Sequence, residues 1–201
     1  MAAEQRPARE RMIASTALLV RERGARATSI DDVLAHSGAP RGSVYHHFPG
    51  GRDQLLREAT AFAGEVVARR LERGIGRDPL QALDMFLGTY REELIASGFR
   101  SGCPLVAVAI ESREDGPGLQ DAAGAAFERW AALLARSFTE GGVAEARARE
   151  LSVMTLAAVE GALVLCRAQR DAAPLDSVHR QLRALLHDEL DRPRPRSGEG
   201  R

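Results

Sequence analysis

Between Gly24 and Arg52 glycine, proline and small polar residues interrupt the chain so closely that only short helices fit, and this constrains the fold more than any other feature. Upstream, Met12, Ile13, Ala17, Leu18 and Val20 recur at helical spacing from Arg9, and Gly24 follows them as a C-cap would. Thr28 or Ser29 caps a second helix. Asp31 and Asp32 stand three positions after each, as carboxylate versions of a capping box, and Ile30, Val33 and Leu34 give the helix a buried face. Ser37-Gly38-Ala39-Pro40 is a turn, with Pro40 suited to the first position of a helix over about Arg41 to His47. Pro49-Gly50-Gly51 stops that helix, and a long one follows from about Arg52 to Arg73. Short helices joined by small-residue turns describe a helix-turn-helix unit in which the first helix crosses the other two.

Beyond a change of composition at Gly74–Pro79 the pattern stays helical. Helices are expected over Leu80–Ser97, Pro104–Ser112, Leu119–Thr139, Ala144–Arg170 and Leu175–Leu190. No segment shows convincing two-residue alternation, and no internal repeat is visible. The expected fold class is therefore all-α: an N-terminal three-helix helix-turn-helix domain over 1–57, joined by a long helix to a C-terminal helical domain over 58–191. Residues 1–8 read as a flexible arm, and the Pro-, Arg- and Gly-rich tail over 192–201 as disordered.

Composition narrows the function classes. Hydrophobic residues at 44% and charged residues at 28% are those of a soluble globular chain with ample core material. The net charge is zero, so overall charge does not favour nucleic acid, but a binding face needs only local positive charge. Up to Arg57 nine arginines face six acidic residues, a mild local excess. Cys103 and Cys166 make neither a disulfide framework nor a zinc cluster. With no apolar leader and no apolar run of spanning length, the chain reads as a reduced cytoplasmic protein without a membrane partner.

The segment Pro40-Arg41-Gly42-Ser43-Val44-Tyr45-His46-His47-Phe48 separates its faces cleanly. Val44 and Phe48, four apart, point inward, while Arg41, Ser43, Tyr45 and His46 fall mainly outward. Gly42, lacking a side chain, permits close approach to DNA. An arginine fork matches guanine O6 and N7, and hydroxyls suit phosphates or base edges. The N-termini of the second and fourth helices, at Thr28 and at Gly51-Arg52, present free amides for phosphate.

From Arg9 to Ala59 this stretch, with its ordered Gly-x-x-x-Gly-Ser-x-Tyr-x-His-Phe pattern, closely resembles the DNA-binding domain of the TetR family of transcriptional regulators. The resemblance implies DNA contacts from Thr28, Arg41, Gly42, Ser43, Tyr45, His46 and Arg52. Family members often carry Lys where Arg52 stands, and a polar residue where Pro40 stands. The remainder resembles the LmrA/YxaF-like drug-responsive subgroup through Gly102-Cys103-Pro104-Leu105, Val159-Glu160-Gly161-Ala162-Leu163, Arg167-Ala168-x-Arg170-Asp171 and Pro174-Leu175. That likeness implies a C-terminal domain that binds a small apolar effector and dimerises through 144–170 and 175–190. Small residues Ala157, Ala158, Gly161 and Ala162 are consistent with close helix pairing. The function implied is a homodimeric repressor on a palindromic double-stranded operator, released by the effector, with no cofactor and no enzymatic role. Activation in place of repression, or response to a protein partner, stays open.

Phe62, Phe86, Tyr90, Cys103, Phe127, Trp130 and Glu160 are the residues expected to line the effector cavity, against the alternative that they are ordinary packing. Cys103 precedes Pro104 at a helix start, where the dipole favours a reactive thiolate; the alternative is a packed, inert thiol. Cys166 reads as core. His46 and His47, adjacent on a helix, diverge by about 100° and suit joint metal ligation poorly, so no metal site is expected. A small enzyme using Cys103 or Glu160 with a histidine is the rival reading, but no nucleophile elbow, metal cluster or phosphate loop accompanies it.

Overall fold

The computed structural model describes residues 7–111 and 118–192, so most of the expected N-terminal arm and the tail beyond Arg192 lie outside the described residues. The described residues form nine helices and no strand: α1 Ala8–Arg23, α2 Ile30–Ser37, α3 Ser43–His47, α4 Gly51–Glu72, α5 Pro79–Ala96, α6 Pro104–Glu111, α7 Leu119–Gly141, α8 Glu145–Gln169 and α9 Ala173–Leu190.

Local chemistry sets the ends. Ser29, not Thr28, caps α2: its hydroxyl accepts the Asp32 amide at 3.1 Å, and the Asp32 carboxylate accepts the Ser29 amide at 3.1 Å. The Ser29 hydroxyl, then its amide, hold the Asp32 carboxyl below its ordinary pKa. Gly38 closes α2 at φ 64°, a conformation glycine adopts without a Cβ clash, and its amide reaches the Leu34 carbonyl at 3.0 Å. The third helix starts two residues later than the proline suggested. Pro40 opens a turn in which the Ser43 amide and hydroxyl both donate to its carbonyl, at 3.0 and 2.6 Å.

Two apolar cores form. Met12, Ile13, Val33, Leu34, Val44 and Phe48 close the small one, and Leu55, Ala59 and Ala63 of α4 complete it. Leu56, Val67, Ala68 and Leu71 of the same α4 enter the larger core, with Leu87, Leu94, Leu105, Trp130, Leu163 and Leu175. Helix α7 crosses α4 where Gly64 meets Ala126: a Cβ on Gly64 would stand 2.7 Å from the Ala126 methyl. The close approach lets the Trp130 indole N–H donate to the Gly64 carbonyl at 2.9 Å, so a fully buried ring leaves no polar atom unpaired.

Helix α8 packs one side on α7 and α9. Its other side leaves Val153, Val164 and Leu165 at least half exposed, with Ala157 and Gly161 between them. Nothing lies within 4 Å of a Cβ built on Gly161. Among the described residues α8 alone is long and apolar enough to cross a membrane by length and composition, and 44% of that stretch is buried.

Candidate functional site

In the helix-turn-helix, Val44 and Phe48 have no solvent exposure, and burying the phenyl ring contributes about 1.5–3 kcal/mol to holding α3 in place. The Arg9 guanidinium sits 5.5 Å from the centre of the Phe48 ring, and Arg11 donates to the Ser37 carbonyl at 3.0 Å, tying α1 to the turn. With those two side chains anchored, Arg41, Gly42, Tyr45 and His46 face solvent and Ser43 is half-buried. Tyr45 is 68% exposed, far more than a phenol with a packing role would be. A Cβ on Gly42 would meet nothing within 4 Å, so the surface at the start of α3 is sterically open there.

Two expected contact residues are placed differently. Thr28 is 2% exposed and its hydroxyl donates to the Gly24 carbonyl at 2.8 Å, so in this structure the side chain braces the α1–α2 connection and has no open path to a phosphate. Arg52 donates through Nε to the Thr28 carbonyl at 3.0 Å and through Nη2 to the Ala25 carbonyl, fastening the start of α4 to that same connection. Both residues frame the surface.

The expected effector residues do not line one cavity. Phe62 and Tyr90 border a cavity of about 290 Å³ between α1, α4 and α5, together with Leu18, Val66 and Pro104. Phe86 borders one of about 520 Å³ between the end of α4, α5 and α7. Cys103 and Glu160 border a third, of about 220 Å³, between α6 and α8. Trp130 and Phe127 line none of the three: they pack edge to face at 5.3 Å as part of the core.

Burial, then the adjacent Glu160, push the Cys103 thiol well above its ordinary pKa. These outweigh the backbone amides of Val106 and Leu105, which act in the direction the helix-start argument anticipated. Cys103 is thus a packed thiol, donating to Glu160. The Glu160 carboxyl is itself raised by burial to about 7, with the Cys103 thiol opposing. Its Oε2 is buried without a hydrogen-bond partner. Tyr90 is fully buried nearby and also raised, by burial first and then by Cys103 and Glu160. Among the described residues no group of three or more His, Cys, Asp or Glu side chains could hold a metal ion. His36 pairs with Ser15 at 3.0 Å and His179 with Asp84 at 2.7 Å.

Sequence reading missed how the two cores are joined. Arg21 donates to the Gly102 carbonyl at 2.9 Å while the Gly102 amide donates to the Arg21 carbonyl at 3.1 Å. Glu93 accepts from both Arg21 and Arg70. Arg167 of α8 donates to the Glu22 carbonyl at 3.0 Å, and Glu111 of α6 accepts the Arg26 amide at 2.7 Å. Gly24 carries φ 89°, a conformation that favours glycine, and a Cβ there would stand 2.0 Å from a Glu111 oxygen, so a side chain would also displace the Glu111 carboxylate. The one sequence hint was Gly102 beside Cys103-Pro104.

Comparison with known proteins agrees with this architecture. Residues 13–59 match the profile of bacterial regulatory proteins of the tetR family, and residues 79–181 match that of the transcriptional regulator LmrA/YxaF-like C-terminal domain. An uncharacterized HTH-type transcriptional regulator of Mycobacterium tuberculosis is 51% identical over 188 residues, covering 90% of this chain and 95% of that protein. The HTH-type transcriptional regulator LmrA of Bacillus subtilis is 28% identical over 169 residues, covering 83% of this chain and 90% of its own. Among solved structures, a TetR transcriptional regulator from Chloroflexus aurantiacus superposes with a TM-score of 0.73 at 27% identity, covering 94% of this chain and 97% of that one. A regulatory protein TetR from Rhodobacter sphaeroides has the same fold, with a TM-score of 0.80 at 23% identity over 88% of this chain and 97% of that one. A solvent-facing α3 held by Val44 and Phe48, two matched profiles and a half-identical regulator together make this chain a transcriptional regulator of the TetR family, with an LmrA/YxaF-like C-terminal domain.

Proposed function

We propose that the protein is a dimeric cytoplasmic repressor that binds a palindromic operator and is released by a small apolar effector, with no catalytic role. The observation that carries this reading is the open face of α3: Arg41, Gly42, Ser43, Tyr45 and His46 clustered on a helix fixed from behind by two fully buried side chains. Arg41 and Tyr45 are assigned to base edges, Ser43 and His46 to backbone or base contacts. Gly42 lets the helix axis come close. Arg52 and Thr28 hold the α1–α2 connection, and the amides of Ile30 and Asp31 at the start of the neighbouring α2, which the Ser29–Asp32 capping box does not use, are assigned to phosphate.

Dimerisation is assigned to 144–170 and 175–190. The support is the exposed apolar stripe Val153, Val164 and Leu165 on α8, with Gly161 vacant enough for a second helix to approach. Two such subunits place their α3 helices in successive major grooves, about 34 Å apart. An effector would favour a dimer geometry that misses this spacing, by no more than its difference in affinity for the two geometries.

The test is footprinting of the purified protein on DNA upstream of its own gene across a salt series. A protected palindrome whose affinity falls steeply with salt supports the reading. Weak binding that ignores sequence, both there and in a selection from random DNA, overturns it.

A further inference from the structure

The cavity between α6 and α8 contains a polar group that the chain itself leaves unused. Its charged border residues other than Glu160 are engaged: Arg23 pairs with Asp32 at 3.2 Å, Arg167 donates to the Glu22 carbonyl at 3.0 Å, and Glu111 accepts the Arg26 amide at 2.7 Å. The rest of the border is apolar or small, including Val106, Ala107, Ile110 and Leu163. Glu160 borders it from α8, with the Cys103 thiol beside its carboxyl and its Oε2 buried without a hydrogen-bond partner. Two buried polar side-chain atoms among the described residues lack a partner, Glu160 Oε2 and Ser137 Oγ, and a hydroxyl costs far less to leave so than a carboxylate.

Besides Arg23 of α1 and Glu111 of α6 on the cavity border, the titratable groups on other elements that interact with Glu160 are Tyr90 of α5 and Cys103 at the start of α6, both neutral at pH 7, with burial raising each further. Burial and Cys103 account for the Glu160 shift, and no arginine contributes to it. Arg23 and Arg167 border the same cavity but neither forms an ion pair with Glu160, so the buried carboxyl lacks the one kind of partner that would stabilise its charge. We infer that this cavity is an effector site for a small apolar amine, whose ammonium group donates to Oε2 of Glu160 while its hydrocarbon body fills the space between α6 and α8. The volume of about 220 Å³ is below that of drug-sized sites and suits a fragment-sized molecule. This assignment rests on the effector reading above and names its ligand class. The site shares Gly24, Gly102, Glu111 and Arg167 with the joint between the two cores, so its occupant borders the residues that orient α1.

Proton linkage gives the assignment a signature beyond affinity. At pH 7 the unliganded carboxyl is about half protonated, and an ammonium beside it drives that proton off, so binding releases about half a proton per site. The experiment is calorimetric titration of the full-length protein, without DNA, with benzylamine and with benzyl alcohol in buffers of different ionisation heat. The expected result is benzylamine binding at least about tenfold more tightly than benzyl alcohol, with proton release. Glu160→Gln, verified as folded by circular dichroism and a cooperative melt, removes both the preference and the release. Equal affinities, no saturable amine binding up to about 10 mM, or an unchanged preference in Glu160→Gln would overturn the assignment. The wild-type proton count tests it even where the variant fails to fold. Operator affinity of the unliganded protein, measured separately, keeps the two readings apart: its loss refutes the repressor and leaves the amine result standing.

Discussion

Replacing Glu160 by Gln should stabilise the protein at alkaline pH and leave it unchanged at acid pH. The amide has nearly the shape of the protonated acid, so it keeps the packing and discards the ability to ionise. The carboxyl pKa rises from the usual 4.5 in the unfolded chain to about 7 in the folded one. Between those values the folded state holds more protons than the unfolded state, so this group's contribution to stability falls as pH rises. The full contribution is present below the unfolded value and lost once pH passes the folded one. Each tenfold change in proton affinity is worth about 1.36 kcal/mol, so the penalty above pH 7 is about 3 kcal/mol. Urea unfolding of wild type and variant at pH 5 and pH 8, at equal protein concentration, measures it. The variant should gain about 3 kcal/mol over wild type at pH 8, or some 6–12 °C in Tm for a chain of this size, and less than about 1 kcal/mol at pH 5. A difference independent of pH would refute the reasoning, because it would mean that Glu160 is ionised, or hydrated, equally in both states.

Tyr45→Ala removes an exposed phenol, so it should abolish operator binding while changing stability by less than about 0.5 kcal/mol; an electrophoretic shift assay beside a thermal melt checks both. Gly161→Arg puts a long cation where a Cβ would meet nothing within 4 Å beyond its own stretch of helix. The monomer fold should persist, helped by about 1 kcal/mol of helix propensity, while sedimentation shows the dimer lost; a dimer of wild-type affinity would rule α8 out as the seam. Gly64→Ala sets a methyl 2.7 Å from that of Ala126, between backbones that cannot easily part. It should cost about 1–3 kcal/mol in chemical denaturation.

How much was legible in the sequence depended on the range of the cause. Helix positions follow from short-range pattern and punctuation, and Ser29, Gly38 and Gly142 close or open helices where local chemistry predicts. Even the error at α3 is local, since a proline that fits a helix start fits the preceding turn equally well. The face of α3 was legible for the same reason: Val44 and Phe48 are one helical turn apart. The cavities were not legible, because they depend on how helices distant in sequence cross. Nothing near Trp130 announces that its N–H is used by Gly64, or that Phe86 and Cys103 border different spaces. Cys103 shows the limit most clearly. The backbone amides at the start of α6 do favour its thiolate, yet burial, a property of the whole fold, outweighs them.

The division of α4 between two cores bears on how the molecule comes apart. Leu55 and Leu56 are neighbours on one helix, and each belongs to a different apolar cluster. Melting the small cluster would fray the N-terminal half of α4 and strip Leu56 from the large one, while the reciprocal Arg21–Gly102 pair would open at the same moment. Amide exchange should therefore report a single protection limit on both sides of Ala59, the signature of one cooperative unit. A fragment cut at residue 57 would also lack Ala59 and Ala63, which close the small cluster from below. Grafting this reading head onto a different sensor would accordingly need the length of α4 carried with it.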